Sequence, residues 1–247
     1  MRNIFLIIFI IIGQCITAQP FNQTDSLGRK TGKWKKVYSN GKIRYQGQFD
    51  KDVPQGVFKY YNSNGQLTSV LTYSKDGKSS QCKMYYVKGQ LRATGYYYEK
   101  KKDSTWLYYS ETTQIIIAEE NYRRGVKHGV WRIYFSDGTL TSEVFWKNGI
   151  KDGKWTEYFK NGKKRLETTY KNNLLDGDYV LYSINNTPLK KGVYVNGKQD
   201  GVWVTFDDQG HKTKINYFKM GWLYKEEFYA NEVLIKTVKH GGKLNKK

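Results

Sequence analysis

The sequence is poor in the residues that cross-link a chain, kink it or carry out catalysis. Its 247 residues include two cysteines, three prolines and three histidines. No linker rich in Ser or Gly interrupts the chain, and no change of composition marks a second domain. Once an N-terminal leader is removed, Cys82 is the one cysteine left, so no internal disulfide can form. We expect one elongated domain in which Cys82 is a small buried hydrophobic residue.

Patterns that bind metals or perform catalysis are missing as well. The sequence has no His-Glu-x-x-His, no paired-cysteine spacing, no nucleophile elbow and no phosphate-binding glycine loop. His128, His211 and His240 share no common position. An acidic residue recurs near one glycine position, as Asp52, Asp152, Asp176 and Asp200, and turn formation explains it. We therefore expect a protein that is not an enzyme, with no catalytic residue, metal or cofactor.

The one long apolar run is at the N-terminus. Met1-Arg2-Asn3 is followed by nine apolar residues, Ile4 to Ile12, and then by a polar stretch that ends in Ala18. This layout is typical of a secretory signal peptide and is too short for a membrane-spanning helix. We expect cleavage near Ala18 and export to the periplasm, the outer membrane or the medium. A lipoprotein signal that ends at Cys15 is the alternative.

Acidic residues are scarce relative to basic ones. Lys and Arg number 42 and Asp and Glu 22, so the net charge is 42 − 22 = +20. Such a surplus keeps a protein soluble and attracts it to anionic surfaces. Because the chain is predicted to leave the cytoplasm, we expect an acidic protein, an anionic lipid or a glycan rather than nucleic acid. The oligomeric state stays open.

What the sequence has in abundance is a repeat of 24 residues. Eight copies follow one another, with one step of 25, and they begin at Gly32, Gly56, Ser80, Ser104, Gly129, Gly153, Gly177 and Gly201. The third residue of each copy forms a Trp column: Trp34, Phe58, Cys82, Trp106, Trp131, Trp155, Tyr179 and Trp203. The sixth forms a Tyr column: Val37, Tyr61, Tyr85, Tyr109, Tyr134, Tyr158, Tyr182 and Phe206. A late aromatic column follows: Phe49, Tyr73, Tyr97, Tyr122, Trp146, Tyr170, Tyr194 and Phe218. A fixed period of this length predicts one supersecondary unit stacked into an array.

Each copy has the pattern of a β-hairpin. Two runs rich in Tyr, Trp, Val and Thr flank a turn such as Asn40-Gly41 or Asp137-Gly138, and Asn148-Gly149 leads into the next copy. Asn-Gly and Asp-Gly favour type I′ turns, in which both central residues have positive φ. We predict an all-β protein: an elongated single-layer antiparallel meander of about eight 24-residue hairpins, twisted or curled, with about sixteen strands.

The repeat also predicts boundaries and faces. Residues 1-18 are the signal peptide, 19-31 an N-terminal segment, 32-224 the array, and 225-247 a terminal strand or hairpin with a basic tail. Two-residue turns would place the Trp column on one face with the late aromatics and with Ile43, Leu67, Leu91 and Leu140. A bulge between the columns would instead bring the Trp and Tyr columns together, and the sequence leaves that alternative open.

The opposite face is the candidate binding surface. Tyrosine offers contact area with a polar tip, and arginine suits anionic groups. The predicted binding face comprises Tyr61, Tyr85, Tyr109, Tyr134, Tyr158, Tyr182, Lys35, Lys59, Lys83, Arg132, Arg44, Arg92 and Arg165.

The stretch Phe145-Trp146-Lys147-Asn148-Gly149 through Gly153, Trp155, Tyr158 and Gly162 resembles the MORN repeat, in its bacterial variant that is often labelled an antitoxin repeat. The resemblance covers copies one, two, five, six and eight best. Copies three and four depart from it at Ser80 and Ser104, and copy seven at Tyr179 and Asn186. It implies a single-layer β-hairpin array that acts as a scaffold or binds lipid.

The leading hypothesis is therefore a non-catalytic, exported scaffold that binds a protein partner, of unknown identity, across a broad sheet face. The alternatives are attachment of the basic face to anionic lipid or glycan, and antitoxin-like neutralisation of a toxin.

Overall fold

The computed structural model describes residues 20–241, so the predicted signal peptide and the last six residues lie outside the described part. The described chain forms one sheet of 20 strands. The first nine strands are β1 (Gln23–Thr24), β2 (Lys30–Val37), β3 (Ile43–Asp50), β4 (Val53–Tyr61), β5 (Leu67–Tyr73), β6 (Ser79–Tyr85), β7 (Leu91–Tyr98), β8 (Lys101–Tyr109) and β9 (Ile116–Arg123). The remaining strands are β10 (Val126–Lys127), β11 (Gly129–Tyr134), β12 (Leu140–Lys147), β13 (Ile150–Tyr158), β14 (Lys164–Lys171), β15 (Leu174–Tyr182), β16 (Pro188–Val195), β17 (Lys198–Phe206), β18 (Lys212–Lys219), β19 (Trp222–Ala230) and β20 (Val233–Lys239).

Every long strand pairs antiparallel with its neighbours along the chain, from β2–β3 to β19–β20, and β9 pairs with both β10 and β11. The predicted all-β antiparallel meander is confirmed. The eight copies supply sixteen of the strands, as expected. The two-residue strands β1 and β10 and the terminal hairpin β19–β20 account for the rest. Within residues 20–241 no helix is long and apolar enough to cross a membrane.

The turns between copies are the type I′ turns that the sequence predicts, except between copies two and three, where a longer loop joins Ser74 to Ser79 and only Gly77 has positive φ. Asn148 and Gly149 have φ of 51° and 85°. Both residues also have positive φ at Asn172-Asn173 and at Met220-Gly221. Asparagine and glycine adopt this left-handed region at low cost. These tight turns all lie at the same end of the antiparallel strands, opposite to the loops within copies.

The turns within copies differ from the prediction. At Asn40-Gly41 only the glycine has positive φ, 78°. The Gly41 amide donates to the Tyr38 carbonyl (3.0 Å) and the Tyr38 amide to the Lys42 carbonyl (2.8 Å). This is a three-residue loop, a type I turn followed by a glycine in the left-handed region. The expectation of a type I′ turn here was wrong, because the loop contains one more residue than a two-residue turn.

A bulge accompanies each of these loops and changes the faces. The pairing moves from Lys36↔Tyr45 to Val37↔Ile43, so that Arg44 is skipped. Equivalent shifts place Leu67, Leu91 and Leu140 opposite Tyr61, Tyr85 and Tyr134. Residues directly opposite one another share a face. The four aliphatic residues therefore lie on the face of the Tyr column, and their predicted position beside the Trp column was wrong.

The two faces are named here by their columns. On the Trp face, three aromatic side chains are buried: Phe58 is 2% exposed, Trp106 0% and Trp203 1%. Each ring lies on a glycine of the preceding strand, and a Cβ built on Gly47, Gly95 or Gly192 would come within 2.2–2.4 Å of the ring. In the copies where Val144 or Thr168 stands opposite the ring, Trp155 and Tyr179 are only partly buried. Glycine thus lets a single-layer sheet bury a large ring.

A second bulge separates most copies, beside the leading residue. Gly32, Gly56, Gly129 and Ser104 all have positive φ, between 58° and 79°. Three of these bulges are closed by an indole; beside Gly129, Trp131 Nε1 donates to the Asn121 carbonyl (2.9 Å). Trp106 Nε1 donates to the Tyr96 carbonyl (3.0 Å) and Trp203 Nε1 to the Val193 carbonyl (3.1 Å). The ladder slips at Tyr96 and Val193, so the indole satisfies a carbonyl that the bulge frees.

The third copy lacks this bulge. β5 and β6 pair without a shift, from Ser69↔Met84 to Tyr73↔Ser80. Ser80, which takes the place of the leading glycine, is 3% exposed and does not share the positive φ. Cys82 is fully buried, as the sequence predicts, against Ala93 and Trp106. Copies three and four therefore differ although both begin with serine.

The recurring aspartates have an architectural role. Asp152, Asp176 and Asp200 each accept a hydrogen bond from the first amide of the next inter-copy turn, at Asn172 (3.4 Å), Asn196 (3.0 Å) and Met220 (2.7 Å), and Asp103, directly before Ser104, does the same at Arg124 (2.8 Å). Asp52 instead accepts from the Lys30 amide (2.9 Å). Except for Asp52, each aspartate thus ties one copy to the following one.

Candidate functional site

One row of side chains crosses the Tyr face from end to end. Starting from the N-terminal edge, the register pairs these residues in succession: Lys35, Gln46, Lys59, Val70, Lys83, Thr94, Leu107, Glu119, Arg132, Glu143, Thr156, Glu167, Val180, Lys191 and Val204. We call this the central row. Its members come from the strands β2 to β9 and β11 to β17, so the row shows which residue each copy places at the same position of the Tyr face.

The first part of the central row is cationic. Lys35, Lys59 and Lys83 are exposed and alternate with Gln46 and Val70. Among the described residues, no carboxylate oxygen comes within 4.0 Å of these three ammonium groups. Successive lysines lie two inter-strand spacings apart, a distance of about 10 Å. The result is a line of free positive charges across β2, β4 and β6.

The middle of the central row is ion-paired. Arg132 Nη1 lies 3.1 Å from Glu119 Oε2, and Arg132 Nε lies 3.3 Å from Glu143 Oε2. Glu167 Oε1 is 3.0 Å from Lys154 Nζ and 2.7 Å from Lys164 Nζ. These pairs neutralise Arg132, Lys154 and Lys164, the cations that lie beside this part of the row. An incoming anion would meet no free charge on this part of the row.

The hydrogen-bond partners of the tyrosine hydroxyls also differ between the first and the second half of the Tyr face. Tyr158 and Tyr182 donate to Glu143 (3.1 Å) and Glu167 (3.0 Å). In the first half, the Tyr61 hydroxyl accepts from Gln46 Nε2 at 3.4 Å, and the Tyr109 hydroxyl lies 3.3 Å from Thr94 Oγ1. The partner always precedes the tyrosine by 15 residues, and it is neutral in the first half and anionic in the second.

These contacts shift the pKa values of side chains in the second half of the Tyr face. Burial first, and then a hydrogen bond to Glu119, raise the pKa of Tyr134 to about 12. Burial raises the pKa of the Glu167 carboxyl, but hydrogen bonds from Lys164, Lys154 and Tyr182 outweigh it and leave that pKa below its usual value. The tyrosines are therefore neutral hydrogen-bond donors and Glu167 is an anion at neutral pH.

The structure keeps most of the predicted binding face together and removes part of it. Tyr61, Tyr85, Tyr109, Tyr134, Tyr158, Tyr182, Lys35, Lys59, Lys83 and Arg132 lie on the Tyr face. Arg92 hydrogen-bonds Met84 Sδ (3.5 Å), and Arg165 pairs with Glu157 (2.8 Å), both on the Trp face. Arg44 occupies the same skipped position. The bulge turns these three arginines to the other side, so their predicted placement was wrong.

Sequence reasoning missed the glutamates. Glu119, Glu143 and Glu167 recur with the 24-residue period, and no glutamate occurs before Glu99. That asymmetry is visible in the sequence, but the ion pairs themselves depend on the register across the strands.

A shallow groove of about 550 Å³ lies at the cationic end of the Tyr face. Gln46, Gln48 and Gln55 line it together with Lys33 and Lys59, and Phe21 closes one side. The Lys35 ammonium rests 4.7 Å from the centre of the Phe21 ring. Amides and cations around a shallow groove suit hydrogen-bonding, anionic groups better than apolar ones.

A polar cluster lies on the Trp face at copy four. Glu120 stands where Gly47 and Gly95 support rings in other copies, and its Oε2 accepts hydrogen bonds from Tyr108 (2.5 Å) and Tyr122 (2.9 Å). Lys102 Nζ lies 3.6 Å from the same oxygen. Burial, then these hydrogen bonds, raise the pKa of both tyrosines. Within residues 20–241, no group of three or more His, Cys, Asp or Glu residues is placed to hold a metal ion.

Taken together, the ladder and its two faces define a β-hairpin repeat protein. Four segments match the family model described as MORN repeat variant: residues 30–51, 54–75, 127–148 and 151–172. The chain therefore contains MORN repeats, and such repeats indicate a scaffold or binding protein of a generally non-catalytic family. The matches fall in copies one, two, five and six. Copy eight, which was expected to match as well, is not among them.

Comparison with other proteins adds little. No curated protein matches the chain. The chain resembles two solved structures weakly. One is titled a crystal structure of TarM, with 11% identity, a TM-score of 0.29 and coverage of 38% of this chain. The other is a mutant of S. aureus TarM in complex with fondaparinux, α-GlcNAc-glycerol and UDP, with 14% identity, a TM-score of 0.21 and 45% of this chain covered. The chain spans 20% and 19% of those proteins' own length.

Proposed function

We propose that this protein is a non-catalytic, exported scaffold that binds an acidic protein partner on the Tyr face of copies one to three. The supporting observation is the first part of the central row, where Lys35, Lys59 and Lys83 are exposed and lack acidic neighbours. Opposite charge across an interface speeds encounter and selects partners.

The spacing of the lysines suggests how the partner lies. Successive ammonium groups belong to strands about 10 Å apart, and an extended peptide advances about 3.3 Å per residue. A segment that runs across the strands would therefore meet a lysine at about every third residue. Gln46, Gln48 and Gln55 offer side-chain amides to its backbone between those points.

The experiment is binding of a synthetic extended peptide with glutamate at every third residue and serine elsewhere. The triple variant Lys35→Gln, Lys59→Gln, Lys83→Gln should weaken binding by about tenfold or more, because three charge-assisted contacts are lost. The matched control Lys154→Gln, Lys164→Gln, Arg165→Gln removes three cations that are already paired. It should leave binding nearly unchanged. Equal losses in the two variants would contradict the proposal.

Partner and export are tested in the cell. Fractionation should place the mature chain, without residues 1–18, outside the cytoplasm, and capture from envelope extract should recover an acidic protein with the wild-type chain but not with the triple variant. A mature chain that keeps its N-terminus in the cytoplasm would contradict export.

An anionic membrane or glycan surface is the second candidate, favoured by the net charge of +20. In that case, binding to vesicles of phosphatidylglycerol should be strong at low salt and fall steeply as salt screens the charges over ~10 Å. Vesicle binding that ignores lipid charge would remove this candidate.

A further inference from the structure

The row of aromatic rings on the Trp face has a gap at the third copy. Phe58 and Trp106 hold the ring position in copies two and four, but the three strands between them carry Leu71, Cys82 and Gly95 in direct register. No bulky ring stands on β5, β6 or β7 at this level of the sheet. The gap lies on the face opposite to the central row.

The neighbouring copies show what fills such a position. The Phe58 ring lies between Phe49 and Tyr73, with centroids at 5.1 Å and 5.2 Å and edge-on contacts to both. In copy eight, Trp203 lies in the same way between Tyr194 (5.0 Å) and Phe218 (6.3 Å). By the same period, a ring in the third copy would lie between Tyr73 and Tyr97. Cys82 occupies that position instead.

An open groove of about 660 Å³ lies at this gap. The half-buried Leu71 and Met84 form its floor beside Cys82, which is itself fully buried, and Tyr60, Tyr73 and Tyr97 form its sides. This volume is in the range of small-molecule sites, which are mostly apolar with a few polar groups. Burial raises the pKa of the Cys82 thiol to about 11, so the floor carries no charge at neutral pH.

One end of the groove is cationic. Lys78, in the loop before β6, and Lys100, in the turn before β8, both line it, together with Glu99. Neither ammonium has a carboxylate within 4.0 Å in the described part of the chain. Two free cations and one carboxylate leave this end positive.

We infer that this groove binds a small aromatic anion. One ring, or two fused rings, would take the vacant position between Tyr73 and Tyr97, where edge-on aromatic contacts are favourable. The acidic substituent would point to Lys78 and Lys100. The inference does not depend on the proposed function, because the groove and the central row lie on opposite faces.

The probe is 8-anilinonaphthalene-1-sulfonate, a fluorescent aromatic anion, with N-phenyl-1-naphthylamine as its uncharged counterpart. The double variant Leu71→Gly, Cys82→Trp rebuilds the ring-over-glycine pair seen at Gly95 and Trp106. It fills the groove from within and should abolish binding of both probes, since a close-packed site leaves no room for a ligand.

The variant Lys78→Ala, Lys100→Ala changes two exposed residues and should leave the fold intact. We expect about a tenfold loss of the sulfonate probe and no change for the uncharged probe, because only the charged contact is removed. Ile235→Ser, at a side chain 65% exposed on β20, is the control for nonspecific apolar binding and should leave both probes unaffected.

The outcomes separate cleanly. Unchanged binding of both probes in the folded Leu71→Gly, Cys82→Trp variant would overturn the inference. If that variant does not fold, the lysine pair decides: equal loss of both probes, or no loss of either, would overturn it. Loss of binding in Ile235→Ser would assign the probe to the edge strand and would also overturn it.

Discussion

Copies one to three and copies five and six are built from the same β-hairpin but present opposite electrostatics on the Tyr face. Both regions have the Tyr column and an antiparallel ladder, although the third copy lacks the bulge beside its leading residue. In the first region Lys35, Lys59 and Lys83 face solvent, whereas in the second Glu143 and Glu167 hold the nearby cations. A repeat protein can therefore divide its face into a binding part and a self-paired part without changing its fold.

One position in each copy carries this difference. It lies 15 residues before the Tyr column and holds Gln46, Val70 and Thr94 in copies one to three, Glu119, Glu143 and Glu167 in copies four to six, and Lys191 in copy seven. An anionic residue there binds both the tyrosine hydroxyl and an adjacent cation. A neutral residue leaves the cation free. Changing this position should convert one region into the other.

The largest expected effect follows from installing carboxylates in the first region. Gln46→Glu with Thr94→Glu places acids directly opposite Lys35, Lys59 and Lys83. Binding of the glutamate peptide should fall by about 10–100-fold, since the lysines become paired and the face repels the peptide. Calorimetric titration measures it. Gln46→Met with Thr94→Val is the uncharged control and should weaken binding only by the loss of the Gln46 amide contact, about threefold; a loss as large as that of the glutamate variant would refute the charge argument.

A smaller effect is expected on stability in the second region. Glu143→Gln breaks the contact with Arg132 and weakens that with Tyr158. Both side chains are about one third exposed, so solvent screening limits the cost to about 1 kcal/mol. The equivalent Gln46→Ala in the first region should cost less. Denaturant unfolding compares the two, and equal costs would show that the two regions are not stabilised differently.

The boundary between the regions offers a pair of serines with opposite expected effects. Ser104 has a φ of 58°, which favours glycine, whereas Ser80 lies in an unbroken ladder. Ser104→Gly should stabilise the fold by about 1 kcal/mol, and Ser80→Gly should destabilise it by about 0.5–1 kcal/mol. Thermal unfolding decides between them. Shifts of the same sign would contradict the assignment of the bulge to copy four and not to copy three.

The smallest effect is a pH dependence. The pKa of Glu167 is lower in the folded chain than its usual value of 4.5, so its contribution to folding is present above pH 4.5 and is lost as the pH falls further. Hydrogen-exchange protection of β14 and β15 should therefore drop more, between pH 7 and pH 3.5, than that of β3 and β4. A uniform drop would mean that the acid response does not come from this carboxylate.

The sequence was sufficient for the fold because the signals for it are local and periodic. The 24-residue recurrence of Trp34, Phe58 and Trp106, with glycine turns between them, predicts stacked hairpins before any coordinate is known. The sequence does not specify the type of turn within each copy. Asn40-Gly41 fits both a two-residue turn and a three-residue loop, and only the structure shows which one forms.

The one extra residue in each of these loops explains why part of the site could not be predicted. A bulge at each loop moves the residues beside it to the other face, so that Arg92 and Arg165 were assigned to the wrong side. The ion pairs of Arg132 required the register of three strands, β9, β11 and β12. Such contacts arise between copies, and no pattern within one copy contains them.

The most direct test of the account is a titration of the ¹⁵N-labelled mature chain with the glutamate peptide, followed by amide chemical shifts at low salt. The account predicts shifts concentrated around Lys35, Lys59 and Lys83 on β2 to β7, with little change on β12 to β15. Shifts spread evenly over both regions, or centred on Glu143 and Glu167, would contradict it.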